Sequence, residues 1–456
     1  MQVDSAVLPD PVLKNDQNYY EDPFSQMARC VPQYHLFGPW LIARAAAFEG
    51  AEVVWLNRQM ILIQHNGVQL FFWDVRSNES AVGAKLATHK GYTHSFLKRA
   101  AVSTPSARQV MDAESAVRFW KVLGKPVVVK PLRGTRGRAV ALNLNDESSI
   151  NKAFHQARSS VGALVEEQVH GSEYRFFVLG DDVLAVLGKE SAHVIGDGIS
   201  TVEALVEEKN SLRSMNPRLM TSLIPLDEIA FQNLARQGLN WQSVPDAEQH
   251  VVLRQEANIS KGADTFDATD LVSERAKAVA VAAVKALPGL DWAGVDVMLS
   301  DPCNEQGEVY VIEVNTCPGL GGHHFPMRGK PRDVATAVWR RAYEKQKALS
   351  STFSIVPIPA ALPARCQRLV SIEGKVQGVG FRKWLRREAV TLNVEGWVRY
   401  RQDGTLQAAL KGKRSEVEQL LGKLHFGPRT ATVAKVSVAP YNRKLSHSGF
   451  KVFQTL

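Results

Sequence analysis

The chain has 456 residues, 45% of them apolar and 22% charged. Those are ordinary values for globular protein and exclude a mainly disordered chain. The formal charge of +9 is unevenly placed: residues 366–456 carry 17 Lys/Arg against 6 Asp/Glu, so the first 365 residues sum to −2. Cys30, Cys303, Cys317 and Cys366 lack CxxC spacing, which argues against a disulfide framework or a zinc ribbon. No leader pattern and no run of 18 apolar residues is present, so a reduced, soluble, cytoplasmic protein with no membrane segment is expected.

Residues 1–33 carry little pattern and are expected to form an N-terminal arm. Residues 34–88 predict a small α/β unit. It comprises a helix over LIARAAAFEG, a strand AEVVWL, and strands MILIQ and VQLFFWDV around the turn His65-Asn66-Gly67. A helix is predicted over 91–101. The strands Pro126–Lys130 and AVALNL follow, separated by the loop Pro131–Arg138. Then come a helix over 146–158, strands ALVEEQV and YRFFVLG, a helix over 273–287, and strands 294–299 and 308–314. Three prolines in 350–365 mark a semi-rigid linker. Beyond it the order β-α-β-β-α-β reads as a ferredoxin-like sandwich over 366–456.

Two patterns carry chemistry. Strands GVDVML and VYVIEVN are separated by a turn-rich loop with its midpoint near 304–305. An antiparallel hairpin centred there sets Asp296 opposite Glu313, and period-2 alternation puts Glu313 and Asn315 on one face. A carboxylate pair among apolar strands suits a hard cation such as magnesium. A half-exposed sheet with its acids in water is the plainer alternative. The second pattern is the loop 131–138, with Gly134, Gly137 and the arginines Arg133, Arg136 and Arg138. Glycines let backbone N–H groups approach phosphate and arginines add charge. It does not match a P-loop, and a basic surface turn fits it equally well.

Residues 89–349 resemble the ATP-grasp carboxylate–amine ligases, as found in cyanophycin synthetases and bifunctional glutathione synthetases. The resemblance rests on KPVVVKPLRGTRGRAV, VEEQVHGSEYRFFVLG, AHVIGDGISTVEALVEEKN, LARQGLNWQSVP, VVLRQEANISKGADTFDATD, WAGVDVML and VIEVNTCPGL, in family order. It implies an ATP-grasp fold, ATP, and magnesium as two ions, with manganese as a substitute. Lys90 and Lys130 would reach the ATP phosphates, and the loop with Gly134 and Gly137 would cover them. Glu166 and Val169 would meet the adenine and Glu173 the ribose. Asp296, Glu313 and Asn315 would hold the metal. Arg254, Asn258 and Arg136 would lie by the transferred phosphate. Departures are His94, where relatives often carry lysine, and Thr316-Cys317; they bear on acceptor specificity. His323 and His324 are candidates to orient a substrate carboxylate.

Residues 366–456 resemble acylphosphatase through EGKVQGVGFRKW, VEGWVRYRQDGTLQAALKG and LHFGPRTATVAKV. The resemblance implies a phosphate cradle with Gly378, Gly380 and Arg382. Tyr400 stands where the family has a water-positioning asparagine, which implies anion binding with weak or no hydrolysis.

Together these features point to an ATP-dependent ligase that joins amino acids, or a short peptide and an amino acid, through an acyl phosphate. The alternative is an acylphosphatase-type hydrolase with a regulatory ATP-binding module. Nucleic-acid binding is disfavoured, because the basic residues are spread over both helices and loops rather than one recognition element. The resemblance also allows a homodimer.

Overall fold

The structure is a computed structural model. It describes residues 18, 20–29, 31, 36–77, 80–133, 139–349, 365–424, 427–428, 430–443, 445 and 448–455. The chain divides into two compact units. One comprises residues 1–20, 37–52 and 59–352, the other 21–36, 53–58 and 353–456.

In the first unit, helix α1 (Phe37–Phe48) precedes the hairpin of β1 (Met60–His65) and β2 (Val68–Trp73). Its turn is Asn66-Gly67, with φ of 47° and 76°. Two consecutive positive φ values define the tight turn that matches strand twist, which is why Asn-Gly sits there. Helix α2 (Lys90–Arg99) leads to a four-stranded sheet of order β3-β6-β4-β5, made of β3 (Ala107–Val110), β4 (Val127–Pro131), β5 (Ala141–Leu144) and β6 (Ala163–Glu167). Helices α3 (Ala113–Leu123) and α4 (Glu147–Ala157) cover it, each begun by an aspartate, Asp112 and Asp146, whose side chain accepts a backbone N–H.

The central sheet has five strands: β7 (Ser172–Leu179), β8 (Asp182–Glu190), β11 (Asp264–Asp267), β12 (Trp292–Leu299) and β13 (Val309–Asn315), in the order β11-β8-β7-β12-β13. Between β8 and β11 lies a satellite formed by β9 (His193–Ile195), α5 (Val202–Met215), α6 (Glu228–Arg236) and β10 (His250–Val252), with its own core of Val194, Val202, Val206, Leu234 and Val251. One face of the central sheet presents Tyr174, Phe176, Val295, Val297 and Val311 to Ala276, Ala280 and Ala283 of helix α7 (Glu274–Lys285). Fully burying one such Val or Phe contributes about 1.5–3 kcal/mol. Alternation then sends Arg175 and Asp296 to the other face, and the irregular step at Ile312 turns Glu313 to that face beside Asp296. Helix α8 (Val334–Leu349) closes the unit.

In the second unit, β14 (Arg365–Lys375), helix α9 (Phe381–Thr391), β15 (Glu395–Tyr400), β16 (Leu406–Lys413), helix α10 (Arg414–Leu424) and β17 (Thr432–Pro440) follow the expected β-α-β-β-α-β order. A further strand, β18 (Phe450–Val452), pairs parallel to β15 and completes the sheet order β17-β14-β16-β15-β18. Its three residues are too few for a period-2 pattern to show in sequence.

Within the segment read as an arm, Pro23–Ala28 is a helix. Asp22 accepts from Ser25 N at 3.0 Å, and Pro23 takes the first helical position, where a missing N–H costs nothing. The linker reading falls almost wholly on 350–364, outside the described residues, and Arg365 already belongs to β14.

Candidate active site

The acidic pair stands where loop symmetry predicts it. Asp296 on β12 pairs with Glu313 on β13, and Gly294 pairs with Asn315. Asn315 Nδ2 donates to Asp296 Oδ2 at 3.4 Å. A Cβ on Gly294 would lie 2.9 Å from Pro318 Cβ, so only glycine there lets the chain after Asn315 fold back over this face.

Each acid already has a cationic partner. Arg175, opposite Asp296 in the β7–β12 ladder, grips both carboxylate oxygens through Nε and Nη2 at 2.7 Å each. Burial pushes the Asp296 carboxyl up, but Arg175, with Lys189 and Lys90, outweighs it and holds the group below its usual value. Asp296 in turn raises the Arg175 guanidinium despite burial. Lys90 Nζ lies 2.9 Å from Glu313 Oε1. Lys189 pairs with Glu173, and Lys130 with Glu166. The last pair is diagonal on one face of the four-stranded sheet, Val128 being opposite Glu166 and Lys130 opposite Leu164. Lys90 N donates to Leu132 O at 3.1 Å, which seats the start of α2 on the exit of β4 and brings the two lysine-bearing elements together. The Gln168 amide donates to the buried Val169 carbonyl at 3.1 Å.

Not every candidate joins this cluster. Arg254 is buried against Asp227, the residue that caps α6, and its Nε has no partner among the described residues. Asn258 caps its own turn, its Oδ1 accepting from Ser260 N at 3.0 Å. Gly134, Arg136 and Gly137 lie outside the described residues. His94 sits one turn into α2, 3.4 Å from Thr104 Oγ1; burial first, then Lys98 and Lys130, lowers its pKa. His323 is fully buried, its ring edge-on to Phe177, and its Nε2 has no partner among the described residues. His324 Nε2 accepts from Ala335 N at 3.2 Å, so its ring holds the start of α8.

Arg175 and Lys189 escaped the sequence reading. YRFFVLG shows an arginine leading an apolar strand, but its partner is 121 residues away and is set by a non-local ladder. Asp264 escaped too. It is buried between Arg213 Nη1 at 2.5 Å and Lys209 Nζ at 2.6 Å. Burial raises that carboxyl, but Lys209 and the neighbouring His193 and Arg213 bring it below its usual value.

As to a metal, no group of three or more His, Cys, Asp or Glu converges among the described residues. Two carboxylates and an amide oxygen form an incomplete hard-donor set. It fits an ion such as magnesium that takes its remaining ligands from water and phosphate.

The buried histidines set a pH dependence. Burial lowers His193 and His323 to about 3 and His324 to about 4. An unfolded histidine titrates near 6.5, so the unfolded chain takes up protons first as pH falls. Stability present at pH 7 is therefore lost progressively from about pH 6.5 downward. The melting temperature at pH 5 should lie below that at pH 7; a flat or rising profile would contradict this.

In the second unit, Gly378 and Gly380 adopt φ of 73° and 74° in the loop before α9. Arg382 lies over the Tyr400 ring at 4.6 Å, and its Nη1 donates to Phe453 O at 3.2 Å. The Tyr400 hydroxyl donates to Val376 O at 2.7 Å and is buried. It is thus committed to the loop rather than to a guest.

Comparison with known proteins agrees with this architecture. Residues 369–452 match the acylphosphatase family. Over 276 residues the chain is 36% identical to the glutathione biosynthesis bifunctional protein GshAB of Mannheimia succiniciproducens, covering 58% of this chain and 36% of that one. It is 34% identical over 276 residues to the cyanophycin synthetase of Nostoc, covering 59% and 30% respectively. The crystal structure of a bifunctional glutathione synthetase from Pasteurella multocida superposes with a TM-score of 0.55 at 29% identity, covering 67% of this chain and 44% of that one. The chain therefore spans about a third of the curated relatives it matches. Its homologues are ATP-grasp ligases, and its fold is an ATP-grasp fold followed by a ferredoxin-like acylphosphatase domain.

Proposed function

We propose that this protein is a cytoplasmic, ATP- and magnesium-dependent carboxylate–amine ligase acting on amino acids or a short peptide. The observation that carries the reading is the in-register Asp296–Glu313 pair with Asn315, faced by Lys90. In this reading the substrate carboxylate attacks the γ-phosphate of ATP and gives an acyl phosphate and ADP. An amine then attacks the acyl carbon, forming the amide and releasing phosphate. Lys90 and Lys130 hold the phosphates, Glu166 and Val169 face the base, and Glu173 faces the ribose. Arg136, Arg254 and Asn258 serve the transferred group. Magnesium, as two ions or replaced by manganese, would be held by Asp296, Glu313 and Asn315 and would neutralise charge on the phosphates. Among the described residues no helix is long and apolar enough to cross a membrane.

The test is an ADP-release screen over pairs of amino acids and short peptides, with mass spectrometry of the products. ADP release accompanied by a new amide supports the ligase reading. ADP release without amide from any pair removes the amino-acid ligase.

A second reading concerns residues 366–456. We infer that this domain binds a phosphate-bearing small molecule through Arg382 and the loop with Gly378 and Gly380, and does not hydrolyse it. The support is the Tyr400 hydroxyl, spent on Val376 O and unable to hold an attacking water as an amide would. The full chain is expected to leave benzoyl phosphate unhydrolysed above background in the absence of ATP. Turnover that disappears in Arg382→Ala would restore the hydrolase reading.

A further inference from the structure

The acids of the candidate metal site are not waiting bare. Asp296 is buried, and its two oxygens are taken by the planar fork of Arg175, Nε on Oδ1 and Nη2 on Oδ2, both at 2.7 Å. The ladder holds that geometry, since Asp296 stands directly between Arg175 on β7 and Glu313 on β13. Glu313 is held separately by Lys90 from another element. A bidentate guanidinium is a stronger and more directional partner than an ammonium.

We propose that Arg175 is a resident counter-cation that keeps the acidic pair from taking up a divalent ion on its own. The inference rests on reading Asp296, Glu313 and Asn315 as the metal site. A lone divalent ion approaching Asp296 meets a fixed positive charge. To bind, it must weaken two charge-assisted hydrogen bonds and leave a guanidinium unpaired in a poorly solvated place, which is costly. A metal that arrives with a phosphate anion brings the guanidinium a new acceptor, and that cost disappears. Arg175 thereby couples metal entry to anion entry.

The test uses manganese alone, with no nucleotide, and counts free ion by electron paramagnetic resonance on the full chain. Arg175→Met is expected to bind manganese at least about tenfold tighter than the native protein, a change of about 1.4 kcal/mol. Arg175→Lys should keep affinity close to native, because a cation remains. Arg175→Met combined with Asp296→Asn should lose the gain. A thermal readout covers the case of a weakened fold: manganese should raise the melting temperature of Arg175→Met more than that of the native protein. If Arg175→Met binds manganese no tighter, or if the double variant keeps the gain, the inference is overturned.

Magnesium-dependent binding of a nonhydrolysable ATP analogue to Asp296→Asn separates the two failures. If that binding is abolished while Arg175→Met shows no gain, the site reading stands and the role of Arg175 falls. If Asp296→Asn binds like the native protein, the site reading fails and the inference fails with it.

Discussion

Glu313→Gln is expected to lower magnesium-dependent ligase turnover by at least about a hundredfold, the usual worth of one well-placed electrostatic group. The substitution keeps size and removes one charge. Asp296 is then the only carboxylate of the set, and Arg175 already holds both its oxygens. Lys90, whose partner loses its charge, has little access to water, so the damage extends to a group assigned to the phosphates. The measurement is ADP release at saturating nucleotide, with magnesium varied. The variant should need far more magnesium and stay slow even when supplied with it. Near-normal turnover would refute the metal assignment of Glu313. An unchanged melting temperature would confirm that the loss is chemical rather than a failure to fold.

Arg213→Met should cost about 3–5 kcal/mol of stability, the range for breaking a buried ion pair on one side. Arg213 is fully buried, with its guanidinium shared between Asp264 Oδ1 at 2.5 Å, Ser222 O at 2.6 Å and Ala263 O at 3.2 Å. Methionine restores volume but satisfies none of these acceptors. Lys209 still holds the other Asp264 oxygen, so the carboxylate keeps half of its compensation. The bonds tie helix α5 to strand β11 and to the loop before α6. Loss should therefore appear as early unfolding of residues 193–254, seen as lost amide-exchange protection there. A destabilisation under about 1 kcal/mol in urea unfolding would show that the network is not buried in solution as it is in this structure.

The hairpin of β12 and β13 was legible because everything it needs is local: two alternating strands, a turn-rich loop between them and a midpoint. The same holds for the Asn66-Gly67 hairpin and for the β-α-β-β-α-β order of the second unit. What stayed hidden is what non-local ladders decide. Nothing near Arg175 in the chain says that β7 lies beside β12. Lys189 meets Glu173 within one hairpin, and it went unread because its own strand, 182–190, was not among the predicted elements. The satellite of 193–254 also went unread as structure, because its strands are three residues long and α5 carries polar residues around most of its surface. For Arg254 and Asn258, the resemblance supplied roles while the structure supplies different immediate neighbours, Asp227 and Ser260.

One irregularity of the central hairpin reaches further. Asp296 pairs with Glu313, yet the next residue, Val297, pairs with Val311, and Ile312 has no counterpart. The tip of the hairpin and its root therefore keep separate counts. Insertions and deletions in the 300–308 connection can be absorbed on the tip side of Ile312 without moving an acid off its partner. Evolution, or a protein engineer grafting a longer connection there, can rework the outer end of this hairpin while the chemistry at its base keeps its alignment.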